Sequence, residues 1–473
     1  MIKFDRSLFF LIFGRLLQAG LSIITLRMMT EILDQAEVGH QYLINSLILG
    51  FSLILINPVG MYVNRHLHEW KAKSQLLPAM KAMNRYFLIV AALSIPIVVI
   101  LRFAFNFSEN ILLLTLVGYV ALYIFLSTWF QSLISFFNLL GHQDVFVTLN
   151  ILSVLIGLIA AILLTHFFSP QALNWLGGLL IGQAISLMVG LVLLGRQLKD
   201  QPEKSDSLIK SFFSRNTFLF CYPVALTTVF MWLTTQGYRF WVEKNSGLEA
   251  LAYLGVGLGL AASLAAIVES LTTQWLYPYF YSQMSATDSR ERQKSWELLW
   301  QRSLAIYIPF LFVSLVASPL VIKLLVSEKF HGVGLIFYFG CGIEFLRLCS
   351  GVLYIAAHSE KKTSTTIGPY ALGAGVLFLS LFMLIQYQGL TDQNILWALI
   401  SASLSTFIFN LFRIRKLMQV QLFNFSLLKI ILTSSPILLF LFIPIVSTAA
   451  LVGAISFASV FAAFIVYRNL NQT

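Results

Sequence analysis

Charge is scarce in this chain. Only 11% of its 473 residues are Asp, Glu, Lys or Arg, where a soluble chain carries about 25%, and 58% are hydrophobic. A soluble enzyme is excluded on that ground. A nucleic-acid-binding domain is excluded too, because the net charge of +11 sits between long apolar runs and calls for a membrane explanation. Cysteine is scarce as well, which removes a secreted disulfide scaffold. Cys221, Cys341 and Cys349 all fall in apolar runs without metal-ligand spacing, and small buried apolar roles suit them. Long outer loops are missing, each expected one being at most about ten residues. The first 30 residues lack the small-residue cleavage site of a signal peptide.

Apolar runs are what the sequence has instead. A bilayer span takes about 20 apolar residues, and backbone groups in lipid must be satisfied within their own segment, so each run reads as helix. Fourteen candidate spans result: 8–30, 38–62, 86–105, 111–135, 146–168, 175–195, 217–239, 250–276, 303–325, 334–357, 365–387, 394–412, 427–446 and 448–467. The last two are divided near Pro444 and Ser447, since one unbroken helix over 427–467 would reach about 60 Å, twice the hydrocarbon core. The expected class is an all-α polytopic membrane protein.

The basic residues orient it. With the N-terminus inside, 23 of the 31 Lys and Arg fall on the inner side, five on the outer side and three within spans. Positive charge marks cytoplasmic loops, so both termini are expected in the cytoplasm. The polar stretch Gly195–Asn216 follows six spans, and Arg413–Lys416 follows six more. The expected division is therefore a six-helix lobe over 1–200, a second over 201–416, and two further helices over 417–473. A weak internal repeat supports it. Glu37-Val38-Gly39-His40-Gln41-Tyr42 opens the second span and Leu248-Glu249-Ala250-Leu251-Ala252-Tyr253 the eighth. Parallel repeats are common in transporters.

One run of residues has a family look. Arg15-Leu16-Leu17-Gln18 leads into Leu26-Arg27-Met28-Met29-Thr30-Glu31, then Glu37–Tyr42, Asn57-Pro58-Val59-Gly60 and Asn64-Arg65. This resembles the N-terminal hairpin of polysaccharide flippases in the multidrug/oligosaccharidyl-lipid/polysaccharide (MOP) exporter superfamily. Pro223, opening the seventh span, is similar to that family's second half. The motif is confined to about residues 1–70, while the topology covers the whole chain. The resemblance implies two six-helix lobes facing a central cavity, alternating access, and an oligosaccharide linked to undecaprenyl pyrophosphate as cargo. It also implies a place in O-antigen, capsule or exopolysaccharide synthesis, with polymerase and chain-length proteins as partners and no resident cofactor. Lipid II flippases share the fold, but their arginine-rich first helix matches these residues poorly.

Ionisable residues inside spans are costly and mark function. Arg15, Gln18, Ser22 and Thr25 fall within an arc of about 80° on the first helix. A guanidinium there suits a pyrophosphate through bidentate hydrogen bonds. Arg27 lies off this stripe, within i,i+4 reach of Glu31. On the seventh span, Thr228, Trp232, Thr235 and Arg239 fall within an arc of about 60°, with Gln236 beside them, a mix that suits a sugar phosphate. These eight, Ser22 and Thr25 apart, are the candidate substrate residues. Glu344 and Arg347 are three apart on one helix and can neutralise each other. Glu269 has no charged neighbour within a turn. The three are candidates for coupling to a proton or sodium ion, or for gating. Glycines 255, 257 and 259 lack a preceding strand and read as helix packing, as do Gly178 and Gly182.

Two other functions compete with a flippase. A cation-coupled multidrug exporter of the same superfamily is expected to use an N-lobe carboxylate, and the first six spans have no mid-span Asp or Glu. A membrane polymerase or glycosyltransferase needs a sizeable outer loop, and no nucleophile–base pair stands out.

Overall fold

A computed structural model of the chain describes residues 6–105, 107–108, 111–198, 212–283, 289–360, 362–387, 389–420, 425–442 and 448–472. The Arg15 side chain and most of the polar stretch after the sixth span lie outside the described residues. Among those described the regular structure is helical, without strands. The helices are α1 Arg6–Ile32, α2 Gln35–Ala72, α3 Leu76–Phe105, α4 Leu113–Leu139, α5 Gln143–Phe167, α6 Ala172–Leu198, α7 215–246 and α8 248–283. They continue with α9 Ser289–Leu325, α10 Gly334–Ser359, α11 Ile367–Tyr387, α12 Asp392–Met418, α13 Phe425–Ser434 and α14 Thr448–Gln472.

Ten helical runs among the described residues are long and apolar enough to cross a bilayer. One of them, Arg215–Tyr277, is 63 residues long and is broken at Gly247, whose φ of 84° suits a residue without Cβ. Towards the C-terminus the apolar helical stretches are shorter, Leu427–Leu441 and Val452–Arg468. The expected turn at Pro444 and Ser447 lies outside the described residues. The chain is thus a multi-pass helical membrane protein, as expected.

Helix α2 runs well beyond expectation. Its 38 residues extend about 57 Å at 1.5 Å per residue, well past the expected end at 62. It contains a π-helical turn, Ser52–Ile56, just before Pro58. Proline cannot donate the next backbone hydrogen bond. Side chains take up the carbonyls nearby: Tyr86 Oη donates to Leu55 O at 2.7 Å, and Cys221 Sγ to Pro58 O at 3.5 Å. The extra turns carry exposed Arg65, His68, Glu69 and Lys71.

Two compact units divide the chain, Met1–Ala252 and Tyr253–Thr473. In the first, α5 and α6 pack along their length. A Cβ on Gly178 would meet the backbone of Ala161, and one on Gly182 the Ser153 carbonyl and the Gly157 backbone. The close packing read from these glycines is therefore backbone against backbone. Gly182→Leu cannot be relieved by a rotamer change, and overpacking costs about 1–3 kcal/mol or more. The variant is expected to melt several degrees below wild type in a detergent thermal scan, whereas Gly195→Leu, where a Cβ meets nothing within 4 Å, is expected to match wild type. The core of this unit includes Val63, Leu67, Phe87, Leu133 and Phe137. In the second unit, α9 packs on α10, α13 and α14, and α12 on α10 and α11. Trp296 and Trp300 stack at 5.9 Å between ring centroids within its core. Large apolar side chains such as Leu114, Phe167 and Leu379 stand uncovered by protein, as lipid-facing residues do.

Candidate functional site

Helix α2 opens with Asp34 accepting a hydrogen bond from Glu37 N at 2.8 Å. Glu37 in turn accepts one from Ala172 N at 2.6 Å, so a carboxylate meets the first free N–H groups of α6, where the helix dipole favours it. Gly39 lies against the next turn: a Cβ there would meet the Leu248 carbonyl. The motif Glu37–Tyr42 therefore ties the start of α2 to α6 and to the chain just after Gly247.

One to two turns further along α2, the seventh-helix candidates come together with it. Arg239 is buried, 6% exposed. Its Nη1 donates to Ser46 Oγ at 3.0 Å and to Tyr42 O at 3.4 Å. Its guanidinium lies over Tyr42 at 5.2 Å and Tyr238 at 6.0 Å from the ring centroids, within cation–π range. Ser46 Oγ lies 2.6 Å from Tyr42 O and 3.1 Å from Gln236 Oε1, its alternative acceptors. Trp232 Nε1 donates to Ser46 O at 2.8 Å, and Gly50 leaves the space the indole fills. Among the described residues Arg239 has no carboxylate partner, and its Nε has no hydrogen-bond acceptor.

The helical wheel placed four residues on one stripe, and the helix does not keep them there. A π-helical turn, Leu233–Gly237, inserts an extra residue into the i→i+4 register and turns Arg239 relative to Thr228. Thr228 is buried and donates to Ala225 O at 2.9 Å. Thr235 is exposed and donates to Met231 O at 2.8 Å. Trp232, Gln236 and Arg239 are the three that converge on Ser46.

On α1, Gln18 is half-buried. The hydroxyls of Ser22 and Thr25 bond back to Gln18 O and Leu21 O on their own helix. Arg27 pairs with Glu31 at 3.3 Å, the contact its spacing allowed. The Arg15 side chain lies outside the described residues. His66 stacks between Tyr62 and Trp70, with centroid distances of 4.3 and 5.8 Å.

The second unit holds the coupling candidates in one network. Arg347 Nε meets Glu344 Oε2 at 2.6 Å, and Arg347 Nη2 meets Glu269 Oε2 at 2.9 Å. Two carboxylates thus share one guanidinium, leaving one negative charge in excess when all three are ionised. A cavity of about 10 Å³ touches Glu344, lined also by Ala261, Ser314 and Cys341, enough for about one water. Sequence spacing found the Glu344–Arg347 contact, but Glu269 lies 78 residues from Arg347, beyond any local rule.

The chain shares its fold with solved membrane transporters. It is similar to the lipid II flippase MurJ in an inward closed conformation, with a TM-score of 0.67 and 13% identity over 97% of this chain and 98% of that one. It is also similar to the eukaryotic MATE transporter AtDTX14, with a TM-score of 0.59 and 12% identity over 90% of this chain and 96% of that one. A MOP superfamily transporter from Pyrococcus furiosus follows with a TM-score of 0.55 and 10% identity over 88% and 96%. Comparison with curated protein sequences gives no match. A family model described as polysaccharide biosynthesis protein matches residues 80–334, more than half of the chain, and the chain belongs to that family. The matched region begins beyond residues 1–70, where the sequence motif was seen.

Proposed function

We propose that this protein is a flippase that carries a polyisoprenoid-pyrophosphate-linked oligosaccharide, of the undecaprenyl type, across the cytoplasmic membrane by alternating access. Its product would feed O-antigen, capsule or exopolysaccharide synthesis, alongside a polymerase and chain-length proteins. The observation that carries this reading is Arg239. A buried guanidinium without a carboxylate is costly, and its Nε, buried without an acceptor, is a donor that an anionic group would satisfy when the site opens. In a low-dielectric site its attraction for a pyrophosphate exceeds that in water. Arg15 and Gln18 on α1, with Arg27 nearer its end, and Thr228, Trp232, Thr235 and Gln236 on α7 complete the proposed substrate set. The Glu269–Arg347–Glu344 network is the proposed coupling element, its excess negative charge suited to a proton or a sodium ion. The proposal includes fourteen spans with both termini cytoplasmic, and lobes at 1–200 and 201–416 followed by two helices at 417–473.

A multidrug exporter carrying organic cations is the weaker reading, because a buried unpaired cation in the first unit repels such cargo. Deletion of the gene tests the proposal. The expected result is lipid-linked oligosaccharide accumulating on the inner leaflet, with surface glycan lost. Repeat units reaching the outer leaflet and remaining unpolymerised would point to a polymerase and sink the flippase reading.

A further inference from the structure

Helix α4 carries a polar face that no substrate candidate above includes. Ser127, Gln131, Ser135 and Asn138 lie within an arc of about 80° on it. Gln131 and Asn138 are exposed and Ser135 is half-buried. This is not the lipid side of the helix. The uncovered residues of its first half, Leu114, Gly118 and Leu122, centre roughly 150° round the axis from Gln131 and Asn138. Helix α2 brings a matching face, with Asn57 and Asn64 exposed about 20° apart on the wheel. The two meet where Ser135 Oγ donates to Asn64 Oδ1 at 3.4 Å. Gln131 Nε2 donates to Ser127 Oγ at 3.3 Å. One flank of this part of α2 is closed by buried Val63, Leu67 and Trp70, about 60–120° round the axis from Asn64, and the amide side is open. Gly60, one turn before Asn64, adds room: a Cβ there meets nothing within 4 Å.

We infer that this face binds the sugar portion of the cargo. Resting on the flippase reading, it divides the cargo between two kinds of group. A pyrophosphate only accepts hydrogen bonds from the protein and calls for guanidinium. Sugar hydroxyls both donate and accept, and neutral amides and hydroxyls offer both roles. A face of four amides and the hydroxyls of Ser127 and Ser135, mostly neutral with exposed Lys71 at its α2 end, matches a glycan. By the charge bias of the loops, both helices end on the cytoplasmic side, where the cargo is made.

The test measures retention of two lipids by detergent-purified protein: lipid-linked oligosaccharide extracted from the producing strain, and undecaprenyl pyrophosphate without sugar. The variants are the double substitution Asn64→Leu with Gln131→Leu, and Gly60→Leu, which adds its side chain in open space and keeps the fold if the pair does not. Loss of two hydrogen-bonding side chains is expected to weaken binding of the sugar-bearing lipid roughly tenfold, with bare undecaprenyl pyrophosphate bound as by wild type. Gly60→Leu is expected to show the same split by blocking the space. If wild type retains the sugar-bearing lipid and both variants retain it equally well, or lose both lipids alike, the sugar-face assignment is overturned and the flippase reading stands. If wild type retains neither lipid, the flippase reading falls and this assignment with it.

Discussion

Replacing Arg239 with leucine should abolish surface glycan display while the protein still reaches the membrane. The substitution removes the guanidinium whose Nε is free and whose Nη1 reaches Ser46 and Tyr42. Leucine suits the apolar part of the site, so little folding energy is lost: exchange of a buried charge for an apolar side chain is often neutral or stabilising. Transport should fall at least about a hundredfold, the cost of a charge-assisted hydrogen-bonded anion contact of about 3 kcal/mol. Arg239→Lys should recover only part of it, since an ammonium cannot reproduce the planar fork. Wild-type display by Arg239→Leu, at equal membrane levels, would remove this arginine from substrate binding. Ser46→Ala is the control. It takes the acceptor from Arg239 Nη1 and leaves the cation, so it should affect the rate far less.

The second large effect is expected at Arg347. Truncation to alanine leaves Glu269 and Glu344 without the guanidinium that both hold at hydrogen-bond distance. Breaking a buried pair costs about 3–5 kcal/mol. Arg347 and Glu269 are each about one-third exposed, so solvent lowers that to about 2–3 kcal/mol. Arg347→Ala should therefore yield little monodisperse protein and no transport. Adding Glu269→Gln and Glu344→Gln should restore folded protein, because the uncompensated charges are gone. It should not restore transport if these carboxylates carry the coupling ion. Transport by the triple variant at the wild-type rate would reduce the network to a structural role. Glu269→Gln alone keeps the Glu344–Arg347 contact and removes the excess negative charge. The expected result is folded protein that no longer responds to an imposed proton or sodium gradient.

The membrane class and the helical fold were legible because lipid leaves the backbone few options. Apolar runs punctuated by charge then mark the helices directly. Close packing at Gly178 and Gly182 was legible for the same reason: small residues four apart on a membrane helix let backbones approach. Glu344 and Arg347 met because their spacing is local. Three things could not be read. The π turns at 52–56 and 233–237 change the helical period from within, and nothing in the composition marks the one at 233–237, so the wheel joined Thr228 to Arg239 and missed Ser46 as the partner. Glu269 found Arg347 through tertiary packing, which a sequence window does not contain. The amide face on α4 carries no charge, and neutral residues inside a span cost little, so Ser127, Gln131 and Ser135 do not stand out from their helix although they recur every four residues. Glu37, read as part of a family motif, proves to anchor the start of α6.

The flippase claim is tested most directly by purified protein in proteoliposomes loaded with lipid-linked oligosaccharide extracted from the producing strain. The measured quantity is the fraction of that lipid open to a glycosidase added outside. Wild-type protein is predicted to expose nearly all of it within the assay, and Arg239→Leu only the half already in the outer leaflet. A wild-type fraction that stays at one half, equal to protein-free vesicles, would contradict the account.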